Sequence, residues 1–385
     1  MAGFDRVGEP RVSEWCHGRA LPRDEAVVLA IQSLVAAAGA AVPDGELVAL
    51  YWAARGELGS PRGQAPVPRE LPTRLRRFTG RDAELAQLRR LLGDQTAGAQ
   101  IVIVHGLAGV GKSALALEVA WRLEDRFPDG QLYLELHGAS AGLTPLDPGD
   151  ALGRPLRSLG VDGAAIPAEP EEASARYRSL LAERQVLVVL DNAASATQVR
   201  PLLPSSSGCA ALVTSHNLLP DLDTHALHLD VMVPQDATLL LGRIAGPQRA
   251  ADDPAAVSIA ELCGYLPLAL RIVGARLAAR PGWPLAALAD RLRDGRRRLD
   301  ELQIGDLAVR ASFQVSSATL AGGGPVEQRA AHLFRFLGLL ATPDLSVAMV
   351  VALAGEPHTA VEAMLELLVD AQLLETSVPG RYRMH

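Results

Sequence analysis

A buried strand, a glycine-rich loop and the start of a helix follow one another in Ile101-Val-Ile-Val-His-Gly-Leu-Ala-Gly-Val-Gly-Lys-Ser-Ala-Leu115. From Gly106 to Ser113 the residues follow the pattern glycine, four residues, Gly-Lys-Ser, which is typical of a phosphate-binding loop. Glycines lack a Cβ, so the backbone can wrap closely and turn its N–H groups toward phosphate oxygens. The helix that begins near Lys112 adds the partial positive charge of its N-terminus. The pattern therefore predicts that the chain binds a nucleoside diphosphate or triphosphate.

The residues of this loop have distinct predicted roles. We expect the Lys112 ammonium to reach the β- and γ-phosphates and the Ser113 hydroxyl to ligate Mg²⁺. The other predicted nucleotide contacts of the loop are Gly106, Ala108, Gly109, Val110, Gly111 and Ala114. The alternative is a glycine-rich turn that only joins a strand to a helix. The complete motif in its strand–loop–helix context disfavours that alternative.

Length, charge and cysteine content limit the kind of protein. A chain of 385 residues suggests about two to three domains, and a net charge of −7 gives no reason to expect a general binder of nucleic acid or membrane surfaces. The three cysteines are odd in number and widely spaced, which argues against a disulfide framework or a zinc site. The sequence shows no signal peptide, and no apolar run approaches the roughly 18–20 residues that span a bilayer. We expect a soluble cytoplasmic protein that does not contact a membrane.

Apolar strands alternate with helical segments in the middle of the chain. After the strand that begins at Ile101, the pattern predicts further strands at 131–136, 186–190, 210–214 and 227–229. This alternation favours an α/β fold with a parallel sheet and helices on both faces. Ligands bind such sheets at the carboxyl ends of the strands, where the phosphate-binding loop lies.

The chain divides into five predicted segments, of which the second is a linker rich in Pro and Gly. The third is the nucleotide-binding domain, the fourth is helical, and the fifth combines three helices with a hairpin, which indicates a winged helix. The boundaries are 1–59 for a helical N-terminal region, 60–72 for the linker, 73–232 for the P-loop domain, 233–308 for the helical domain and 309–385 for the winged helix.

The N-terminal region contains Arg11-Val-Ser-Glu-Trp-Cys-His-Gly-Arg-Ala-Leu-Pro22. This segment resembles the end of the recognition helix, and the turn after it, in repressor-type helix-turn-helix proteins. The resemblance implies contact with the DNA major groove. The alternative is a small helical bundle that docks on the nucleotide domain or on a partner.

A second candidate site residue follows the apolar strand at 186–190. We expect Asp191 to hold Mg²⁺, directly or through water, at the phosphate end of the sheet. The alternative is an ordinary apolar strand that happens to precede an aspartate. Asn192 follows where many ATPases place a second carboxylate, and an amide can orient a water molecule but cannot take its proton. The pair predicts slow hydrolysis at best.

Two further candidate site residues lie at the end of a predicted strand and at the start of a predicted helix. His216 closes the strand at 210–214 and is placed to contact the γ-phosphate when protonated, although a structural role is an equal alternative. Pro267 begins a helix after Cys263-Gly-Tyr-Leu, and its rigid turn can present backbone groups to a ligand. Physical reasoning alone favours an ordinary helix start at that position.

The motifs resemble one family when they are taken in order. The series is Phe78-Thr-Gly-Arg81, the phosphate-binding loop, Leu187-Val-Val-Leu-Asp191, Val213-Thr-Ser215, Gly264-Tyr-Leu-Pro267 and Met384-His385. It resembles the NB-ARC domain of the STAND class of signalling ATPases, found in apoptotic adaptors, plant resistance proteins and bacterial regulators. The resemblance covers residues 73–385, and the preference for adenine over guanine nucleotides rests on it alone.

The resemblance implies a switch that is closed with ADP and open with ATP, and whose open form often oligomerises. It places Phe78, Gly80 and Arg81 near the adenine and ribose, and Pro267 against the nucleotide. It matches His385 to a histidine that contacts the β-phosphate of ADP. His216 departs from the family, which has an arginine at this position as a sensor of the γ-phosphate. Because such proteins continue into a repeat domain that detects the signal, we expect a C-terminal sensor domain beyond His385.

Three functions remain as hypotheses at this point. The first is an ADP- or ATP-dependent signalling switch that controls transcription or signalling. The second is a DNA-binding transcription regulator that acts through residues 1–59 or the winged helix. The third is a multiple-turnover ATPase. Asn192 and the lack of a second set of catalytic residues in the sequence argue against it.

Overall fold

The computed structural model describes residues 67–93, 98–139, 143–222, 224–246, 253–294, 298–304, 307–340, 342 and 344–384. The predictions for the N-terminal region at 1–59, for the first part of the linker and for His385 lie outside these residues. Among the described helices, none is long and apolar enough to cross a membrane.

Five parallel strands form the central sheet. They are β1 (Gln100–His105), β2 (Gln131–Glu135), β3 (Leu187–Ala193), β4 (Ala210–Ser215) and β5 (His225–His228), in the order β2-β3-β4-β1-β5. Successive side chains alternate between the two faces, so Leu187 and Val189 enter one apolar core and Val188 and Leu190 enter the other. Burial on both faces of the sheet explains why residues 186–190 form a continuous apolar run in the sequence. The predicted α/β fold is confirmed.

Helices cover both faces of this sheet. They are α1 (Asp82–Gly93), α2 (Lys112–Arg122), α3 (Pro148–Ser158), α4 (Pro170–Leu181) and α5 (Ala196–Val199). The apolar residues of α1 and α2 share a core with Val102 and Val104 of β1, whereas α3, α4 and α5 pack on the opposite face with Ile103. The carboxylate of Asp147 accepts a hydrogen bond from the Gly149 N–H and so caps the start of α3.

A helical segment follows the sheet. Its elements are α6 (Pro234–Ala245), α7 (Pro254–Leu262), α8 (Pro267–Ala279), α9 (Leu285–Arg293), α10 (Arg298–Glu301), β6 (Gln303–Ile304) and β7 (Leu307–Ala308). Three of these helices begin with proline, whose fixed φ suits the first helical position. The buried residues of α6 to α9 belong to the same apolar core as α1 and α2. The helical segment is therefore packed continuously onto the sheet.

The C-terminal part has its own apolar core. Its elements are α11 (Val309–Ala321), α12 (Pro325–Leu337), β8 (Asp344–Ser346), α13 (Val347–Ala354), α14 (His358–Asp370), β9 (Leu374–Val378) and β10 (Arg381–Met384). The three strands form an antiparallel sheet in the order β8-β10-β9. After α12, the order strand, two helices, two strands is the one that a winged helix requires, and the winged-helix assignment stays a prediction.

The end of the predicted linker differs from the structure. The Gln131 N–H donates to the Pro68 carbonyl at 2.7 Å, and the Glu70 N–H donates back to the Gln131 carbonyl at 3.0 Å. The Trp121 indole N–H donates to the Pro72 carbonyl at 3.0 Å. Because β2 is an edge strand, this segment satisfies backbone groups that the edge would otherwise leave unpaired. Residues 67–72 therefore belong to the nucleotide-binding body.

Candidate nucleotide-binding site

A cavity of about 800 Å³ opens at the carboxyl ends of the sheet strands. Its lining comes from the phosphate-binding loop, the ends of β2, β3 and β4, the segment before α1, and residues of α6 and α8. The predicted site residues in this lining are Phe78, Arg81, Gly109, Val110, Gly111, Lys112, Ser113, Ala114, Asp191, Asn192, His216 and Pro267. Folding thus brings together residues that are far apart in the sequence.

Three predicted contacts, Gly80, Gly106 and Ala108, are not among the lining residues. Gly80 and Gly106 have φ values of 69° and 146°. A Cβ at Gly80 would collide with the Asp236 carboxylate, and one at Gly106 would collide with the Leu229 carbonyl oxygen. The glycines at these two positions are therefore explained by close packing within the protein, whereas the sequence assigned them to the nucleotide.

The first turn of α8 rests on the phosphate-binding loop. The Leu268 N–H donates to the Gly109 carbonyl at 3.2 Å. A Cβ at Gly109 would lie 3.0 Å from the Leu268 Cβ, and one at Gly111 would lie 3.9 Å from the Pro267 Cγ. Gly109 and Gly111 both have positive φ, 79° and 99°. Glycine is required at Gly109 because the backbone is left-handed and because α8 approaches this closely.

Lys112 is buried at the base of the loop, with only 6% of its surface exposed. Its Nζ donates to the carbonyls of Gly106 at 2.8 Å and Leu107 at 3.0 Å. Burial lowers the pKa of Lys112 to about 7, against the opposing effect of Asp191. A phosphate group would restore the preference of this ammonium for its charged form.

Asp191 is held by hydrogen bonds to both of its carboxylate oxygens. The Thr214 hydroxyl donates to Oδ1 at 2.5 Å, and the Tyr133 hydroxyl donates to Oδ2 at 2.9 Å. The side chain of Asp191 is 4% exposed, and burial raises the pKa of Tyr133 above its ordinary value. A charge-assisted network of this kind fixes the orientation of the carboxylate.

Asn192 has a structural role that the sequence did not show. Its backbone is left-handed, with φ 57°, and its N–H donates to the Thr214 hydroxyl at 2.8 Å. Its side-chain Oδ1 accepts from the Ala139 N–H at 3.0 Å, and its Nδ2 donates to Glu135 at 2.9 Å. Because the amide is engaged at both ends, the structure favours an anchor between β2 and β3 over the predicted role of orienting water.

Glu135 is the acidic residue of the cavity that sequence reasoning missed. It ends β2 and pairs in register with Asp191 of β3. Burial raises the pKa of Glu135, and the neighbouring Asp191 adds to this, whereas the hydrogen bond from Asn192 lowers it. The sequence could have indicated this residue. Glu135 lies near the carboxyl end of the predicted strand at 131–136, and the carboxyl ends of the strands are where the phosphate-binding loop lies.

The donor set of the cavity fits a nucleotide with Mg²⁺. The Ser113 hydroxyl and the Asp191 carboxylate are hard oxygen ligands. The described residues contain no group of three or more His, Cys, Asp or Glu that could hold a metal ion. A Mg²⁺ ion would therefore complete its ligands with phosphate oxygens and water, as this ion commonly does.

The segment before α1 is held in place from two sides. The Arg81 guanidinium donates to Glu84 at 2.8 Å and to the Asp230 carbonyl at 2.5 Å. Arg243 of α6 donates to the Phe78 carbonyl at 3.1 Å and to the Thr79 hydroxyl at 3.0 Å. These bonds hold the segment with Phe78 and Thr79 at the cavity wall and already occupy the guanidinium of Arg81.

His216 lines the cavity at the end of β4. Burial lowers the pKa of His216 to about 3, and the Lys112 charge lowers it further. The imidazole is therefore neutral near pH 7, which counts against the hypothesis of a protonated γ-phosphate sensor. A neutral imidazole can still donate one N–H to a ligand.

A pH-dependent stability is expected from His105. Its Nδ1 is buried without a hydrogen-bond partner among the described residues, and burial, with the nearby His228 and Lys112, lowers the pKa of His105 to about 4. The unfolded chain then binds more protons between pH 6.5 and pH 4, so the free energy of unfolding falls as the pH decreases through this window. We expect His105→Gln to lose less stability than the wild type between pH 7 and pH 5.

Urea midpoints at the two pH values test this expectation. The matched control is His225→Gln, which alters an exposed histidine of β5. If His105→Gln and the wild type lose the same free energy of unfolding between pH 7 and pH 5, His105 is not the source of the pH dependence.

The chain is similar to several proteins of known name. It is 47% identical over 326 residues to the regulatory protein AfsR of Streptomyces coelicolor, with 83% of this chain and 32% of that protein covered. A disease resistance protein of Arabidopsis thaliana is 25% identical over 324 residues, with 80% of this chain and 30% of that protein covered. A Signal Transduction ATPase with Numerous Domains (STAND) protein with a tetratricopeptide repeat sensor, from Pyrococcus horikoshii, is 16% identical with a TM-score of 0.37, and 83% of this chain and 43% of that chain are covered. The chain spans about a third of the length of the regulatory protein.

The parallel sheet, the complete phosphate-binding loop and the Asp191 carboxylate define a P-loop nucleoside triphosphatase. The family model described as an AAA ATPase domain matches residues 77–371, and the chain belongs to that family. Together with the named relatives, this match confirms the predicted STAND class of P-loop ATPases. Nucleotide binding follows from the family.

Proposed function

We propose that the chain is the nucleotide-dependent switch of a regulatory protein. It holds ADP in a closed resting state, takes up ATP in an open state, and hydrolyses ATP slowly. The observation that carries this proposal is the composition of the cavity wall, which includes both the phosphate-binding loop and residues of α6 and α8. A nucleotide that contacts both favours the closed arrangement by as much as its affinity differs between the two states.

Other features support parts of this proposal. The similarity to a regulatory protein supports a role in controlling transcription or signalling. The cysteines in the described part of the chain, Cys209 and Cys263, are buried free thiols, which fits a reducing cytoplasm. A contact of His385 with the β-phosphate of ADP, a C-terminal sensor domain and self-association with ATP complete the proposal.

Direct binding of DNA by α14 is not favoured. This helix carries Glu362, Glu366 and Asp370 and contains no Lys or Arg. Phosphate contacts in protein–DNA complexes come largely from Lys and Arg. The DNA-binding hypothesis therefore rests on residues 1–59, outside the described part of the chain, or on the β9–β10 hairpin, which carries the exposed Arg381 and Arg383.

Analysis of the bound nucleotide tests the proposed switch. The purified protein is denatured, and the released nucleotide is identified and quantified by chromatography. We expect close to one ADP per chain, because a closed site that contacts its ligand from several elements releases it slowly. An empty site combined with rapid steady-state ATP turnover would contradict the resting ADP state.

A further inference from the structure

Tyr133 joins the edge strand of the sheet to the carboxylate of Asp191. Its hydroxyl donates to the Asp191 Oδ2 at 2.9 Å, and its ring packs against the apolar core that α2 shares with the sheet. Tyr133 is not among the residues that line the nucleotide cavity, whereas Asp191 is. A change confined to the Tyr133 hydroxyl therefore reaches the cavity through Asp191.

The register of the sheet explains why this hydroxyl meets Asp191. Glu135 of β2 pairs with Asp191 of β3, and Tyr133 pairs with Val189, two residues earlier in both strands. Side chains two residues apart along a strand point to the same face of the sheet. The Tyr133 ring therefore lies on the face that carries Asp191, and its hydroxyl reaches the carboxylate of the next pair on that face.

The two carboxylates of this pair are held by different donors. Asp191 accepts from the hydroxyls of Tyr133 and Thr214, at 2.9 and 2.5 Å, whereas Glu135 accepts from the Asn192 amide at 2.9 Å. One bond to each oxygen fixes the plane of the Asp191 carboxylate and leaves each oxygen a lone pair for another partner. Because Asp191 is only 4% exposed, bulk water does not readily replace a donor that is lost.

We propose that Tyr133 is a positioning residue that sets the Mg²⁺ affinity of the nucleotide site through Asp191. Groups that hydrogen-bond a metal-binding carboxylate orient it, and their loss typically weakens metal binding about 10- to 100-fold. This inference rests on the proposed function and deepens it, because it separates the metal requirement of the switch from its affinity for the nucleotide. Since Tyr133 lies outside the cavity lining, the affinity for metal-free nucleotide does not depend on its hydroxyl.

Tyr133→Phe in the full chain tests the proposal, because phenylalanine keeps the packing ring and removes only the hydroxyl. Bound nucleotide is removed by dialysis, and the affinity for ATP is measured by calorimetry in EDTA and at saturating Mg²⁺. The ratio of the two affinities reports how strongly the protein–ATP complex holds the metal. We expect this ratio to fall about tenfold in Tyr133→Phe, with the affinity in EDTA unchanged.

Tyr177→Phe is the matched control. It makes the same chemical change at a fully buried tyrosine of α4, whose hydroxyl has no hydrogen-bond partner among the described residues. The affinity ratio of this variant should equal that of the wild type. A reduced ratio in both phenylalanine variants would overturn the proposal, because the effect would then not depend on the bond to Asp191.

A double-mutant cycle tests whether Tyr133 acts through Asp191. Asp191→Asn should lower the affinity ratio by itself, and Tyr133→Phe added to it should lower the ratio no further. An additional tenfold loss in the double variant would overturn the proposal, because Tyr133 would then act by another route.

The outcomes distinguish this inference from the function beneath it. If Tyr133→Phe keeps the wild-type ratio, or loses affinity equally with and without Mg²⁺, the positioning role is wrong and the switch stands. A wild type whose ATP affinity does not respond to Mg²⁺ would likewise overturn the inference and leave nucleotide binding intact. If the wild type binds neither ADP nor ATP, the proposed function fails and the inference fails with it.

Discussion

Lys112→Ala is expected to abolish retention of nucleotide through purification. The substitution removes the buried ammonium from the base of the loop, where it would meet the phosphates. The loss of a buried charge contact costs about 3 kcal/mol, which corresponds to an affinity about a hundredfold weaker. The nucleotide content of the purified variant, measured by chromatography after denaturation, is expected to fall close to zero.

The fold should tolerate this change. Alanine is a good helix former at the start of α2, and the Asp191 carboxylate keeps its hydrogen bonds from Thr214 and Tyr133. Far-ultraviolet circular dichroism should therefore match the wild type. The control is Arg89→Ala, which removes a positive charge from the exposed surface of α1, outside the cavity lining. Retention of a full equivalent of ADP by Lys112→Ala would contradict the role assigned to Lys112.

Local motifs made the candidate nucleotide site predictable from the sequence. The loop from Gly106 to Ser113 is contiguous, and a strand followed by Asp191 is a short-range pattern, so neither depends on how distant parts of the chain meet. The parallel sheet followed from the alternation of strands and helices. The order of the strands could not be deduced in this way, because it is set by which strands pair and not by their periodicity.

The differences between prediction and structure arise from such tertiary pairing. Composition marked residues 60–72 as a linker, but its last residues bond to β2, whose edge offers free backbone groups. Tyr133 lay in a predicted strand, and only the pairing of β2 with β3 brought its hydroxyl to the carboxylate near the end of β3. The sequence predicted that Asn192 orients a water molecule, because its contacts with Glu135 and Thr214 on the neighbouring strands could not be deduced from local patterns.

Glu135→Gln is expected to lower the rate of ATP hydrolysis about a hundredfold or more, with ADP and ATP affinities unchanged. The sequence predicted slow hydrolysis because Asn192 cannot accept a proton. The structure places the Glu135 carboxylate in the same cavity, 2.9 Å from the Asn192 Nδ2, so Asn192 orients a carboxylate. General-base catalysis typically contributes 10²–10⁴-fold, and glutamine keeps the shape and the accepting Oε1 but removes the basic group.

Single-turnover measurements give the sharpest form of this test. Protein in excess over labelled ATP reports the chemical step free of product release, which a switch that retains ADP makes slow. Glu261→Gln makes the same chemical change on the exposed surface of α7, outside the cavity lining, and should leave the rate unchanged. Should Glu135→Gln hydrolyse ATP as fast as the wild type, the carboxylate of β2 takes no part in the chemical step. Since its neighbour Asn192 cannot act as a base, the wild-type rate would then depend on positioning and charge stabilisation by the other groups of the cavity.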